Sequence, residues 1–478
     1  VINRVLAPFN AISHCSKART AYENSNWQLC IYHLSQALRV KKHLSKNDAV
    51  LFNQAKKHYK QEHRTDRKTV AVCGWDLSHN AAGRVLALTE LYQYLNYSPA
   101  IIGCIVEENP KRPKSLWEPM RLAGVPCKYI TVHNAYDLLD KAIDFVSQNP
   151  FDIVHLSKPR LPNIIIGRLY ELIWDTQVIM DIDDEEQGFS GSQAKELTDL
   201  SKPSKKSLNY IRSDYWLTNS IHLASSFQTL TVSNHALQEK YGGVIIPHVR
   251  NADSFIPSQV LTAKMREHFG IAIDKKVILF FGTPKPHKGL LETAQAIASL
   301  NRKDVLFLII GDFIDKSFER DLKSVSNVDF YFLPNQPYHC IHEFVAMGDI
   351  CVILQDNGSL ISQYQLPAKL IDALAMGLTV ISSRTQALIP LIEDGAIIES
   401  TKPDLAKTLA KLLDSDNRTN KKNTPERDYF LNKLSTQSQA SKTEALITKL
   451  PSPTHLITPE TLFTLEMMTK PNTMRNES

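Results

Sequence analysis

Three basic side chains, Lys285, His287 and Lys288, stand together in the segment VILFFGTPKPHKGLLETAQAIASL, Val277 to Leu300. The apolar residues before them read as a buried strand, which Gly282 ends. Gly289 then opens a helix. Its apolar positions Leu290, Leu291, Ala294, Ile297, Ala298 and Leu300 roughly follow the 3.6-residue period. Cations between a strand's carboxyl end and a helix's amino end suit a phosphate, because charge and free amides converge on one point. The pattern GxxxxGK[ST] is absent, so this is no Walker loop. The plainer alternative is an ordinary solvated strand-to-helix loop.

A second segment, QLPAKLIDALAMGLTVISS from Gln365 to Ser383, repeats that logic. Pro367 fits the first turn of a short amphipathic helix, Gly377 fits just past its end, and a β-branched strand follows. The helix start aims partially positive amides at whatever lies before the sheet. Lys369 and Asp372 lie three residues apart and share a face, as a site or as an exposed ion pair.

Three further groups could do chemistry. The run DIDDEE, Asp181 to Glu186, reads as a metal site, an acidic patch facing a second substrate, or a solvated turn. His155 ends the strand FDIVHLS, with Lys158 and Arg160 close behind; it is either a structural hydrogen-bonding residue or part of a site. The loop GWDLSHNAAGR, Gly74 to Arg84, follows a strand and offers His79, which may equally be read as merely exposed. Gly83 with Ala81 and Ala82 would let a ligand approach the backbone. It is not GxGxxG, so no NAD is expected.

These residues need elements to hold them. From Lys68, strands alternate with helices: KTVAVCGWD, AGRVLALTELYQYL, AIIGCIV, FDIVHLS, GRLYELIW, TQVIMDIDD and FQTLTVSNHALQEKY. The alternation restarts at Lys276 and runs to about Leu413. Such a pattern implies parallel sheets covered on both faces. The economical reading is α/β, with two Rossmann-like doubly wound domains joined near Pro247–Pro257, their strand carboxyl ends facing one cleft. The expected divisions are a helical extension over 1–67, a first Rossmann-like domain over 68–247, a second over 248–415, and a polar, partly disordered tail over 416–478. Tyr429–Leu434 is a candidate helix within that tail.

Composition bounds the class. The chain has 478 residues, enough for two or three domains, with 43% hydrophobic and 22% charged residues, as in soluble globular proteins. No apolar run approaches the roughly 18 residues of a membrane span. Nothing at the start reads as a signal peptide. The seven cysteines show no metal spacing, so reduced thiols in the cytoplasm are expected. Residues 1–68 hold 13 Lys and Arg against 4 Asp and Glu; that +9 leaves −4 for the rest of a chain whose total is +5. The basic segment is either a solvated face or a peripheral contact with an anionic membrane. No basic run interleaved with aromatics points to nucleic acid.

Taken together, the two glycine-bounded segments, the linker VIIPHVRNADSFIP (Val244 to Pro257) and the strand LFLIIGDF (Leu306 to Phe313) resemble the retaining glycosyltransferases of family 4. The resemblance runs from roughly Lys68 to Leu413 and implies the GT-B fold. It implies transfer of a sugar from a nucleotide-diphospho-sugar to a glycan or lipid-linked acceptor, with polysaccharide biosynthesis as setting, the cytoplasm as location and no metal or other cofactor. Lys288 matches the family's phosphate-contacting lysine. The arginine before it is absent, and Lys285 is the substitute. Asp372 stands where the family has a ribose-binding glutamate, and Tyr364 where it has a sugar-facing one. His155 keeps the first position of a His-x-His pattern whose second is Ser157. The resemblance thus assigns Lys288, Asp372 and His155 to catalysis, and Gly83, Gly282, Lys285, Lys288, Lys369 and Asp372 to the donor. His79, Asp181, Asp183 and Asp184 fall on the acceptor side. DIDDEE also resembles the metal-binding DxD of GT-A enzymes, which the GT-B context disfavours. The departures at Ser157, Tyr364 and the missing arginine keep a non-catalytic nucleotide-sugar-binding scaffold as the alternative, with a sugar-nucleotide epimerase third.

Overall fold

The computed structural model describes residues 2–41, 44–109, 111, 114–190, 204–414 and 421–451. The chain divides into two compact units. One gathers Val1–Ile182, Ala194–Thr231 and Leu446–Ser478; the other gathers Asp183–Gln193 and Val232–Ala445.

In the first unit the amino-terminal helices are Ile2–Glu23, Trp27–Lys41 and Lys46–Glu62. Ser45 caps the third by accepting from the Asp48 amide, and Arg19 pairs with Asp48 at 2.8 Å. The extension belongs to this unit. Lys56 meets Asp175 at 2.6 Å, Lys60 donates to the Trp174 carbonyl at 2.7 Å, and Gln36 donates to Asp144 at 2.8 Å. Part of the basic excess read from the sequence is therefore spent on internal contacts.

The first sheet is built from β1 (Thr69–Gly74), β2 (Ser98–Val106), β3 (Cys127–Val132), β4 (Ile153–Ser157), β5 (Gln177–Ile182), β6 (Thr229–Val232) and β7 (Val244–Ile245). Their order is β3-β2-β1-β4-β5-β6-β7. The order reverses between β1 and β4, where Gly74 lies beside Ser157. β3 and the helix Ala135–Gln148 were not separated in the sequence reading. Asn134 and Asp137 form a reciprocal capping box at that helix start.

The second sheet holds β8 (Lys276–Phe281), β9 (Val305–Ile310), β10 (Asp329–Leu333), β11 (Ile350–Ile353), β12 (Thr379–Ser382) and β13 (Ile398–Glu399). All its pairs are parallel, in the order β10-β9-β8-β11-β12-β13. Both faces are buried. Val277, Leu279 and Phe281 join one apolar cluster, and Ile278 and Phe280 the other. That is why β8 reads as a continuous apolar run instead of an alternating one. At the carboxyl end of β9, Gly311 has φ +146°, and a Cβ there would come within 2.3 Å of the carbonyl oxygen of Gly282, which follows β8. Only glycine lets these two loops touch.

Beyond Asp414 the sequence pointed to a polar tail of low order. The part from Lys421 to Leu450 is folded: a helix at Pro425–Tyr429, a π-helical turn at Phe430–Leu434 and a helix at Thr436–Thr448. Phe430 and Leu434 are buried in a core cluster. Two apolar residues four apart carry this docking, too few to stand out in a polar stretch. The rest of the expected tail, 415–420 and 452–478, lies outside the described residues. Among the described residues no helix is long and apolar enough to cross a membrane. All seven cysteines are free.

Candidate anion site and the buried polar network

In the second unit the chain leaves β8 through Gly282 at φ +103°, and a single 3-10 turn carries Pro286–Lys288. Gly289, at φ +71°, then starts the helix Leu290–Leu300, where a Cβ would strike Leu354 at 2.5 Å. This backbone fixes Lys288, whose ammonium donates to the Thr283 carbonyl at 2.7 Å. Burial, then the nearby Lys285, push the Lys288 ammonium down to about 8.

The second helix start reaches the same cations. Pro367 is the N-cap of Ala368–Ala375 and supplies no capping side chain. Lys369, in the first turn, lies 4.4 Å from the Phe280 ring. Burial, then Lys288, bring its ammonium to about 7. His287 is likewise pushed below its ordinary value by burial and by Lys288, Lys285 and Lys369, with Asp356 opposing. Among the described residues, no carboxylate lies within ion-pair distance of Lys285, Lys288 or Lys369. Three ammonium groups crowd one another at the carboxyl end of β8 with no carboxylate in ion-pair contact among the described residues, while Asp356 acts on His287 beside them. An oxyanion would relieve that repulsion and accept from the ammonium groups and uncapped amides.

Asp372 is elsewhere engaged. It is not in an exposed ion pair with Lys369. It is buried, and its Oδ1 accepts from Arg250 Nε at 2.6 Å. Burial raises its carboxyl, and Arg250 opposes that rise. The Arg250 guanidinium also lies 5.4 Å from the Tyr338 ring. Arg250 was the residue the sequence reading missed. Its only signal was a buried helical carboxylate that needed a cation, and the linker held one. Tyr364, at the position of the family's sugar-facing glutamate, closes the short helix Leu360–Tyr364 and accepts at its carbonyl from Asn234 at 2.8 Å.

In the first unit, His155 is fully buried. Its Nδ1 meets the Tyr92 hydroxyl and its Nε2 the Thr231 hydroxyl, both at 3.0 Å. Thr231 donates to Asp181 at 2.7 Å, and Arg84 grips Asp181 with Nε at 2.9 Å and Nη2 at 2.8 Å. Burial, opposed by Asp181, lowers the imidazole to about 4. Burial works against ionising Asp181, and Arg84 outweighs it, so that carboxyl sits below its usual range. His155 therefore matches the structural hydrogen-bonding reading, and Asp181 is buried in its pair with Arg84; both tie neighbouring strands together.

His79 caps a 3-10 turn by accepting from the Ala81 amide, and its Nε2 lies 3.3 Å from Asp76. It is half-exposed and tied, not idle. Gly83 is in ordinary helical conformation with open space around it. Asp183 is buried, its carbonyl accepts from Ser233 at 2.7 Å, and its carboxylate lies 3.9 Å from His248. Asp184 accepts from the Gln365 amide at 3.0 Å. The solvated-turn reading of this run therefore does not hold for Asp183. Carboxylate oxygens of Asp183, Asp184 and Glu186 lie within 4.8 Å of one another, close enough to share a cation.

Residues 275–415 match the family model described as "Glycosyl transferases group 1", which ties this segment to the glycosyltransferase superfamily. The chain is 27% identical over 114 residues to the Escherichia coli K12 protein WcaI, named for a colanic acid biosynthesis glycosyl transferase. That alignment covers 24% of this chain and 28% of WcaI, so it spans well under a third of the relative. Among solved structures, HepE of Anabaena, crystallised with UDP and glucose, superposes with a TM-score of 0.60 at 13% identity, over 80% of this chain and all of that one. A Rickettsia africae glycosyltransferase gives 0.59 at 15% identity, over 81% and 99%. Sucrose-phosphate synthase of Thermosynechococcus elongatus gives 0.58 at 13%, over 80% and 99%. The fold is GT-B: two Rossmann-like sheets with flanking helices.

Proposed function

We propose that this protein is a retaining, metal-independent glycosyltransferase that moves a sugar from a nucleotide-diphospho-sugar to a glycan or lipid-linked acceptor. One observation carries the reading: Lys285, Lys288 and Lys369 crowd the carboxyl end of β8 with no carboxylate partner among the described residues. A pyrophosphate leaving group carries the complementary charge. Cations fixed before the reaction stabilise the charge that develops as the glycosidic bond breaks, with no reorganisation at that moment. That HepE was crystallised with UDP and glucose supports a nucleotide-sugar donor.

Lys288 is the central donor contact in this reading, with Lys369 and Lys285 beside it. Asp372 acts with Arg250 as one buried pair that fixes the helix presenting Lys369. The test is calorimetry with UDP and GDP, followed by a transfer assay over a donor panel, each with and without EDTA. Binding with acceptor-dependent transfer that survives EDTA is the expected result. Loss of transfer in EDTA, restored by Mg²⁺ or Mn²⁺, overturns the metal-independent part. The Arg250–Asp372 pair, which occupies a carboxylate expected to meet ribose, favours one second reading, a nucleotide-sugar-binding protein without turnover. Binding with no transfer to any acceptor and no donor hydrolysis would select it.

A further inference from the structure

The second unit also holds a cavity of about 240 Å³ that none of the three crowded lysines lines. Its walls are apolar, from Ile245, Leu366, Ala387, Pro390 and Leu391. Ser233, Asn234, His235 and Asp394 also line it, and its other polar groups come from the carboxyl-terminal elements. Lys433 sits in the π-helical turn Phe430–Leu434, and Gln439 and Lys442 sit on the helix Thr436–Thr448. A π turn interrupts the regular helical ladder, and such turns are frequent at functional sites.

Two features of this cavity lack partners. Neither Lys433 nor Lys442 lies within ion-pair distance of a carboxylate among the described residues. Asp394, the one carboxylate lining the cavity, is hydrogen-bonded to Tyr429. Gln439 has a relative exposure of only 9%; its Nε2 donates to the Lys433 carbonyl at 2.7 Å, while its Oε1 has no donor among the described residues. Burial, then Lys433, push the Lys442 ammonium below its ordinary value, as expected of two cations sharing one mouth.

We propose that this cavity is a second binding site, for an organic phosphate with an apolar body. The phosphate rests between Lys433 and Lys442, and the body fills the apolar wall. An apolar cavity of about 150 Å³ holds benzene, so this one takes a body of roughly six to eight carbons. The phosphate belongs either to a soluble metabolite or to a lipid headgroup. The inference rests on the cavity alone and stands whether or not the donor reading holds.

The test titrates hexyl phosphate, hexanol and inorganic phosphate into the full chain by calorimetry, with and without saturating UDP. One-site binding of hexyl phosphate is expected, tighter than either fragment and unchanged by UDP. The exposed pair is reversed in Lys433→Glu with Lys442→Glu, and the cavity is filled in Ala387→Leu, with melting curves to confirm folding. Each should weaken hexyl phosphate by about tenfold or more while leaving UDP binding unchanged. Flotation with phosphatidic acid vesicles separates the sources: capture that the lysine variant loses identifies a lipid phosphate, and no capture a soluble one. Absent binding of hexyl phosphate, equal binding of hexanol, or undiminished binding by the lysine variant overturns the proposal. Lys288→Ala should not change hexyl phosphate binding, so failure of the donor site and failure of this cavity are read separately.

Discussion

Each unit gathers charge at its sheet, and the two gatherings are built on opposite terms. At β4 and β5, every charge is matched: Arg84 holds Asp181, and Thr231, His155 and Tyr92 complete a chain of hydrogen bonds. At the end of β8, Lys285, Lys288 and Lys369 have no carboxylate within ion-pair distance among the described residues. A matched, buried network holds a fold together. An unmatched one costs the fold free energy and is kept for what it can bind. The comparison therefore sets a structural role for the first cluster against the binding role proposed for the second, and predicts that their mutants fail in opposite ways.

The largest effect is expected from Lys288→Ala. Removing a preorganised cation from a developing pyrophosphate should lower transfer by about 10²- to 10³-fold. The melting temperature should stay level or rise, because a like-charge contact has been relieved. Near-normal transfer in this variant would remove Lys288 from the mechanism. Asp181→Ala should behave in reverse. It removes the carboxylate paired with the Arg84 guanidinium, buried to 2% relative exposure, so the loss should be about 3–5 kcal/mol of stability by denaturant titration. A variant with wild-type stability would show that the network does not anchor the sheet.

How much of this was legible beforehand follows the same division. The cationic loops could be read because each lies between a glycine-ended strand and a helix start, so a short stretch of sequence encloses both the charge and its position. Lys285, Lys288 and Lys369 were singled out this way; the pair of doubly wound sheets was read from the strand-helix alternation and is what the structure has. The matched network could not be read. Arg84, Tyr92, His155, Asp181 and Thr231 come from distant parts of the chain, and only the sheet order brings them together. His155 looked catalytic because a histidine at a strand end looks the same buried or exposed. The partner of Asp372 was hidden for a related reason: Arg250 lies in the linker, 122 residues away. The strand β3 was passed over because its residues alternate only weakly, with Lys128 and Tyr129 exposed at its start.

The comparison is sharpened next by pH. Lys369 titrates near 7 and Lys288 near 8 in the folded state, both below the ordinary lysine value of 10.5. From about pH 6.5 to 9 the ammonium groups lose their protons, so UDP affinity should fall by about tenfold or more. Stability without ligand should move the other way. Across that window the unfolded chain holds more protons than the folded one, so stability rises with pH, from about 7 up toward 10.5. Below 7 both forms are protonated and the penalty is complete. Binding should also be accompanied by proton uptake at neutral pH, seen as a buffer-dependent heat. Affinity that is flat with pH, with no proton uptake, would mean that the phosphates do not contact these lysines.

The smallest effect belongs to Lys285→Ala, and it tests how the three cations divide the work. Lys285 is exposed, so its own attraction for a phosphate is screened and should contribute only about two- to fivefold in donor affinity. Its second role is to crowd Lys288, whose ammonium it helps to push down. Removing Lys285 should let Lys288 hold its proton to higher pH. The loss in affinity should therefore be largest near pH 7 and shrink near pH 8.5, where the recovered charge on Lys288 offsets the missing one. A deficit that is constant across that range would separate the two lysines electrostatically. A deficit as large as that of Lys288→Ala would instead make Lys285 an equal phosphate ligand, the part the sequence comparison gave it in place of the absent arginine.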